Sequence, residues 1–203
     1  MEIEELWGKY SSLLLSTFDG EDCYDNVEMM LDELGERLIL TPAGRYIHEP
    51  GCYAGGMINL AMQTASKAAR LIETYDMQFG PSKRSVVKIA LLHDLGKVGD
   101  LRHDHFVVQD SDWHREKQGA HYKLNDLKGL QKMTISHRTL YLLQHFGIKL
   151  DQKEWLGIQL AQGFHFEENR WYVHGEPELA MIIQHAKHAV TRSLSIHDSG
   201  LRA

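Results

Sequence analysis

Hydrophobic residues recur at three- and four-residue steps over most of the chain. Leu60, Ala61, Thr64, Ala65, Ala68, Leu71, Ile72 and Tyr75 form one such stripe directly after Gly55-Gly56, and they predict an amphipathic helix. Val86, Ile89, Ala90 and His93 share one face of a second helix, which Ser82 or Ser85 can cap and Leu95-Gly96 ends. Ile135, Thr139, Leu142, Leu143 and Phe146 make a third stripe, stopped by Gly147. Asp151 caps a fourth through Trp155, Ile158 and Ala161. Leu179, Ile183, Ala186 and Val190 mark a last long helix with Pro177 and Glu178 in its first turn. Residues 97–128 break this pattern. They are polar, and Phe106-Val-Val and His121-Tyr-Lys-Leu suit a short hairpin. The expectation is an all-α chain with a polar, hairpin-containing insert, and with helical or frayed ends over residues 1–40 and 193–203.

Composition narrows the class. At 203 residues, without repeats or a Ser- or Pro-rich linker, the chain reads as one domain. Hydrophobic residues at 43% and charged residues at 25% exclude a disordered chain. The formal net charge of −6 disfavours extended nucleic acid as a partner but leaves room for a local basic pocket. Cys23 and Cys52 have no paired spacing, which argues against a disulfide scaffold or a zinc ribbon and fits a reducing compartment. No apolar run reaches the ~20 residues of a membrane span. The acidic start Met1-Glu-Ile-Glu-Glu is unlike a signal peptide. A cytoplasmic location without a membrane partner is expected. Thirteen scattered histidines raise the prior for metal or acid–base chemistry only slightly.

The sharpest chemical signal is Ala90-Leu-Leu-His-Asp-Leu-Gly-Lys. His93 falls four residues after Ile89 and Asp94 four after Ala90, so both lean inward. An imidazole and a carboxylate side by side suit a divalent transition metal. Buried without a cation or a hydrogen-bond donor, such a pair is costly. Lys97 follows the turn at Gly96 and is placed to meet an anion. An isolated His-Asp dipeptide, however, is most often a helix-end pair beside a satisfied core histidine. Trp113, Trp155 and Trp171 suit core or rim packing better than base stacking. Met29-Met30 reads as core filler. His103-Asp104-His105 is a metal-like triplet that an exposed polar turn explains nearly as well. A second pair, His197-Asp198, has no flanking pattern.

The longer string resembles the defining motif of the HD-domain superfamily of metal-dependent phosphohydrolases. The resemblance covers about residues 48–190. Tyr53-Ala-Gly-Gly-Met-Ile-Asn-Leu is similar to the Gly-Gly turn entering the first core helix of several branches. Ser136-His-Arg-Thr-Leu-Tyr-Leu-Leu resembles the third motif, Gly157-Ile…Gly163-Phe-His165 the fourth, and Glu178-Leu-Ala…Gln184-His-Ala-Lys-His the final helix. The resemblance implies an HD-type helical bundle, with residues 1–47 as an N-terminal helical extension. It further implies metal-assisted hydrolysis of a nucleotide or other small phosphate ester. His93, Asp94, His137 and His165 would hold Mn, Fe, Co, Ni or Zn, with His48 as a substitute ligand. The metal would lower the pKa of a bound water, while Lys97 and Arg138 neutralise charge on the phosphate. A homo-oligomer stays open.

Two departures weigh against that set. Leu60 stands where the resemblance expects a metal-binding histidine, and Lys187 where it expects an aspartate. Three explanations remain. His48, or a residue among His103, Asp104, His105 and His121, completes the coordination. Alternatively, the Lys187 ammonium sits near Asp94 in place of a metal, leaving a metal-free binding or regulatory module. Or the alignment of the ends is slipped.

Overall fold

The computed structural model describes residues 2–75, 80–126 and 131–198, with side chains through Leu194. Helices α1 (Ile3–Ser16), α2 (Tyr24–Leu40), α3 (Gly56–Tyr75) and α4 (Lys83–Leu92) are followed by a 3-10 turn, Leu95–Val98. The insert holds strand β1 (Phe106–Val108), helix α5 (Asp112–Gln118) and strand β2 (Tyr122–Leu124). Helices α6 (Ile135–His145), α7 (Gln152–Leu160) and α8 (Glu178–Asp198) complete the chain, with a 3-10 stretch over Glu167–Tyr172. The fold is all-α, as the stripes predict. The expected hairpin is present as an antiparallel pair, Phe106 opposite Leu124 and Val108 opposite Tyr122. No helix among the described residues is long and apolar enough to cross a membrane.

Local chemistry sets the boundaries. Ser82, not Ser85, caps α4 by accepting from the Ser85 N–H. Asp151 opens α7 with a reciprocal capping box to Glu154. Thr134 caps α6 through the His137 N–H, and Gly147 ends its stripe in the left-handed region at φ 67°.

α3 runs through the centre, packed on α4 and α8, and α6 lies against the Leu95–Val98 turn. A side chain at Gly96 would meet the Ile135 carbonyl at 2.4 Å, so only glycine lets that turn approach α6. α1 and α2 are not frayed extensions. Leu6, Tyr10, Leu14, Val27, Met30, Leu34 and Leu38 are buried in the same core as Ile58, Ile89 and Ile183. The opening 40 residues carry their own apolar stripe, which has to be covered. Met30 is core but Met29 is half exposed. Trp113 and Trp171 are exposed, and Trp155 is half exposed on a groove rim, so none of the three is a core residue. The pair His197-Asp198 lies outside the described side chains.

Candidate functional site

The His-Asp pair sits where α4 gives way to the 3-10 turn. His93 is the helix C-cap and Asp94 the residue that leads into the turn. Both are buried, at 2% and 4% exposure. Thr139 on α6 fixes the bend, its hydroxyl accepting from the Gly96 N–H at 2.8 Å. His93 Nδ1 lies 2.8 Å from the Ala90 carbonyl, which can only accept, so Nδ1 carries the proton. Its Nε2 keeps a lone pair 3.7 Å from Asp94 Oδ1. Burial lowers the His93 pKa to about 4 against the opposing pull of Asp94, so the ring is neutral at pH 7.

Asp94 is already met by cations on both oxygens. Lys187 Nζ donates to Oδ1 at 2.9 Å, and Lys97 Nζ reaches Oδ2 at 2.8 Å. Gln162 Nε2 is a third donor to the carboxylate, sharing Oδ1 with Lys187 at 2.7 Å. Burial alone would raise the Asp94 pKa, but the two ammonium groups hold it well below the usual carboxylate range. Burial lowers the Lys187 pKa against the pull of Asp94, and Lys97 lowers it further. A fifth of the Lys187 side chain still reaches solvent, which limits that penalty.

The other expected ligands lie elsewhere. His137 is exposed in the first turn of α6 and lines a groove with Tyr141 and Trp155. His165 is exposed beyond α7 against Phe166, with ring centroids 4.2 Å apart. His48 is exposed and stacks on Tyr46. The His103–His105 triplet points three ways. His103 bonds Asp100, Asp104 pairs with Arg37 at 2.6 Å, and His105 Nδ1 accepts from Arg138 Nη1 at 2.9 Å. His121 is exposed and bonds through its backbone, its N–H to the Arg45 carbonyl and its carbonyl to the Gln109 N–H. Leu60 fills its expected histidine position with apolar packing against Ala43 and Val190.

The implied transition metal does not fit these residues. Among the described residues no group of three or more His, Cys, Asp or Glu side chains is placed to hold an ion. The one carboxylate facing His93 is neutralised, and a divalent ion ~4 Å from the Lys187 ammonium would meet repulsion of about 8 kcal/mol at an effective dielectric near 20. No family model, curated protein or solved structure matches this chain.

The two expected phosphate contacts also differ from expectation. Lys97 turns inward, bonding the Ala43 carbonyl at 2.8 Å as well as Asp94. Arg138 is 2% exposed and braces the turn, donating to the carbonyls of Gly96 and Gln131, both at 3.2 Å. Gln162 carries no chemical signal in the sequence, although it lies inside the Gly157…His165 motif. A cleft of about 410 Å³ opens outside Lys187, lined by Gln162, Gln184, His185 and His188 among others and by no carboxylate. Tyr75 OH lies 2.9 Å from His185 Nδ1 and fixes that ring at its edge.

Proposed function

We propose that this chain is a metal-free binding module on an HD-type bundle, and that its cleft takes a small phosphate-bearing ligand such as a nucleotide. The observation that carries this reading is the Lys187–Asp94 pair at 2.9 Å, with an ammonium where a metal-holding site needs a free carboxylate edge. Lys97 and Lys187 against Asp94 leave one net positive charge. The two α8 imidazoles at the cleft add polar groups without a competing carboxylate. An incoming phosphate would take the exposed hydrogens of Lys187 and the imidazole edges. The partners of Asp94 come from three segments: the turn, the residues just after α7, and α8.

The phosphohydrolase reading keeps one point in its favour, the Nε2 and Oδ1 acceptors side by side 3.7 Å apart. It requires Lys187 to leave Asp94. Elemental analysis of protein purified without chelator, joined to calorimetric titration with nucleoside phosphates, separates the two. The expected result is substoichiometric transition metal, nucleotide binding that persists in chelator, and about tenfold weaker binding in Lys187→Ala. Lys187→Asp is expected to raise manganese or zinc affinity at His93 and Asp94. One equivalent of metal per wild-type chain, with release of phosphate or nucleotide product, would restore the enzyme reading.

A further inference from the structure

The cleft outside Lys187 carries a second chemical signal besides its charge. Gln162 and Gln184 both line it, half-buried, and each has its amide nitrogen tied back into the protein. Gln162 Nε2 donates to Asp94 Oδ1 at 2.7 Å, and Gln184 Nε2 to the Leu160 carbonyl at 2.8 Å. A backbone carbonyl and an ionised carboxylate can only accept, so the orientation of both amides is fixed. Each amide therefore keeps its Oε1 in reserve, and neither oxygen accepts a hydrogen bond among the described residues. Both acceptors belong to side chains beside the ammonium. Lys187 Nζ lies 2.9 Å from the same Asp94 oxygen that Gln162 bonds, and Gln184 precedes Lys187 by three residues on one face of α8.

The cleft thus offers positively charged hydrogens and neutral acceptors side by side. A bare phosphate dianion meets only the first, because its oxygens accept and donate nothing. Covering two amide carbonyls without a donor would strip their hydration uncompensated. A phosphorylated polyol meets both. We propose that the cleft takes a sugar phosphate, or the sugar-phosphate end of a nucleotide. The phosphate sits on Lys187 and the imidazole edges, and sugar hydroxyls donate to Gln162 Oε1 and Gln184 Oε1. This assignment rests on the phosphate-binding reading of the same cleft. The base of a nucleotide is not read. Among the described residues Ala161 is the only apolar side chain of the lining, and its only rings are the imidazoles of His185 and His188. A nucleobase therefore finds no large apolar wall to lie on.

The test titrates the full chain in chelator, by calorimetry, with ethyl phosphate, ribose phosphorylated at its terminal carbon, and the common ribonucleoside monophosphates. Ethyl phosphate carries the charge of the ribose ester and no hydroxyl. Ribose phosphate is expected to bind about tenfold or more tighter than ethyl phosphate, and the nucleotides to match it and one another within about threefold. Gln184→Met keeps a side chain of similar length and removes the acceptor. It is expected to bring the ratio between the two esters down toward one, whereas Lys187→Ala weakens both. The esters are compared first on the wild-type chain, so that comparison decides even where Gln184→Met fails to fold. Equal affinity for the two esters would overturn the sugar-phosphate assignment and leave the phosphate site standing. So would an about tenfold preference for one base, or an unchanged ester ratio in folded Gln184→Met. Absence of binding by every phosphate ligand would overturn the phosphate-binding reading itself, and this assignment with it.

Discussion

His105 is held neutral by what surrounds it. Burial first, and then Arg138, Lys97 and Arg45, lower its pKa to about 4. Its Nδ1 accepts from Arg138, so protonation removes an acceptor and sets two cations together. The folded value lies below the ~6.5 of an unfolded chain, so the unfolded state binds the proton first. The stability it supports is fully present above about pH 6.5 and is lost as pH falls toward about 4. Denaturant unfolding across that window should therefore show stability falling with acid, and His105→Gln should flatten the fall. The change is at most about 1.4 kcal/mol per pH unit, reduced by solvent screening at this partly exposed ring. His93 titrates in the same direction and stays in the variant, so a residual slope is expected. Superimposable profiles would mean that His105 is not held neutral. At this scale the sequence was partly legible. The four-residue step from Ile183 places Lys187 at the flank of the core face, but it leaves open whether the ammonium turns in to Asp94, as it does, or out to water. The outward His137 and His165 did not follow, because similarity to a motif carries residue type without carrying helix phase.

Lys88 joins three elements. It sits mid-α4 at 5% side-chain exposure, reaching Glu21 at 2.6 Å before α2 and Glu154 at 3.2 Å on α7, with the Phe18 ring 4.6 Å below. Glu154 also closes the α7 capping box and accepts from Ser85 Oγ at 2.9 Å. Removing Lys88 would leave the buried Glu154 without its cation and Glu21 with only Arg84 at 4.0 Å. Lys88→Ala should cost about 3–5 kcal/mol in chemical denaturation. Lys88→Ala combined with Glu154→Gln should recover part of that loss. A single-variant cost below about 1 kcal/mol would show the cluster to be solvated. In the sequence Lys88 is only a charge inside an apolar run, since nothing local announces carboxylates from residues 21 and 154. The stripes of α3, α4, α6, α7 and α8 were readable because each buries a continuous face. α5 was not, because it buries no residue and so leaves no period to read. Its Ser111 cap and Gly119 in the left-handed region are the signals that remained.

For the whole molecule, the span that the sequence motifs mark and the span that makes a core are different. The resemblance begins near residue 48, yet Tyr10, Leu14, Phe18, Met30, Leu34 and Leu38 are among the largest fully buried side chains of the chain. Without α1 and α2, the faces of α3 and α4 against which these side chains pack would be open to water. Tyr10 also donates to the Leu91 carbonyl at 3.2 Å, two residues before His93, so α1 is packed directly behind the candidate site. A fragment of residues 48–190 should therefore fail to fold: no cooperative thermal transition, collapsed amide dispersion and dye binding typical of exposed apolar surface. Tyr10→Phe in the full chain keeps the packing and removes one hydrogen bond. It should cost about 1 kcal/mol and leave the fold intact. A fragment that melted cooperatively, with native-like dispersion around His93 and Asp94, would make α1 and α2 a dispensable layer. It would return the core to the boundaries that the resemblance alone implies.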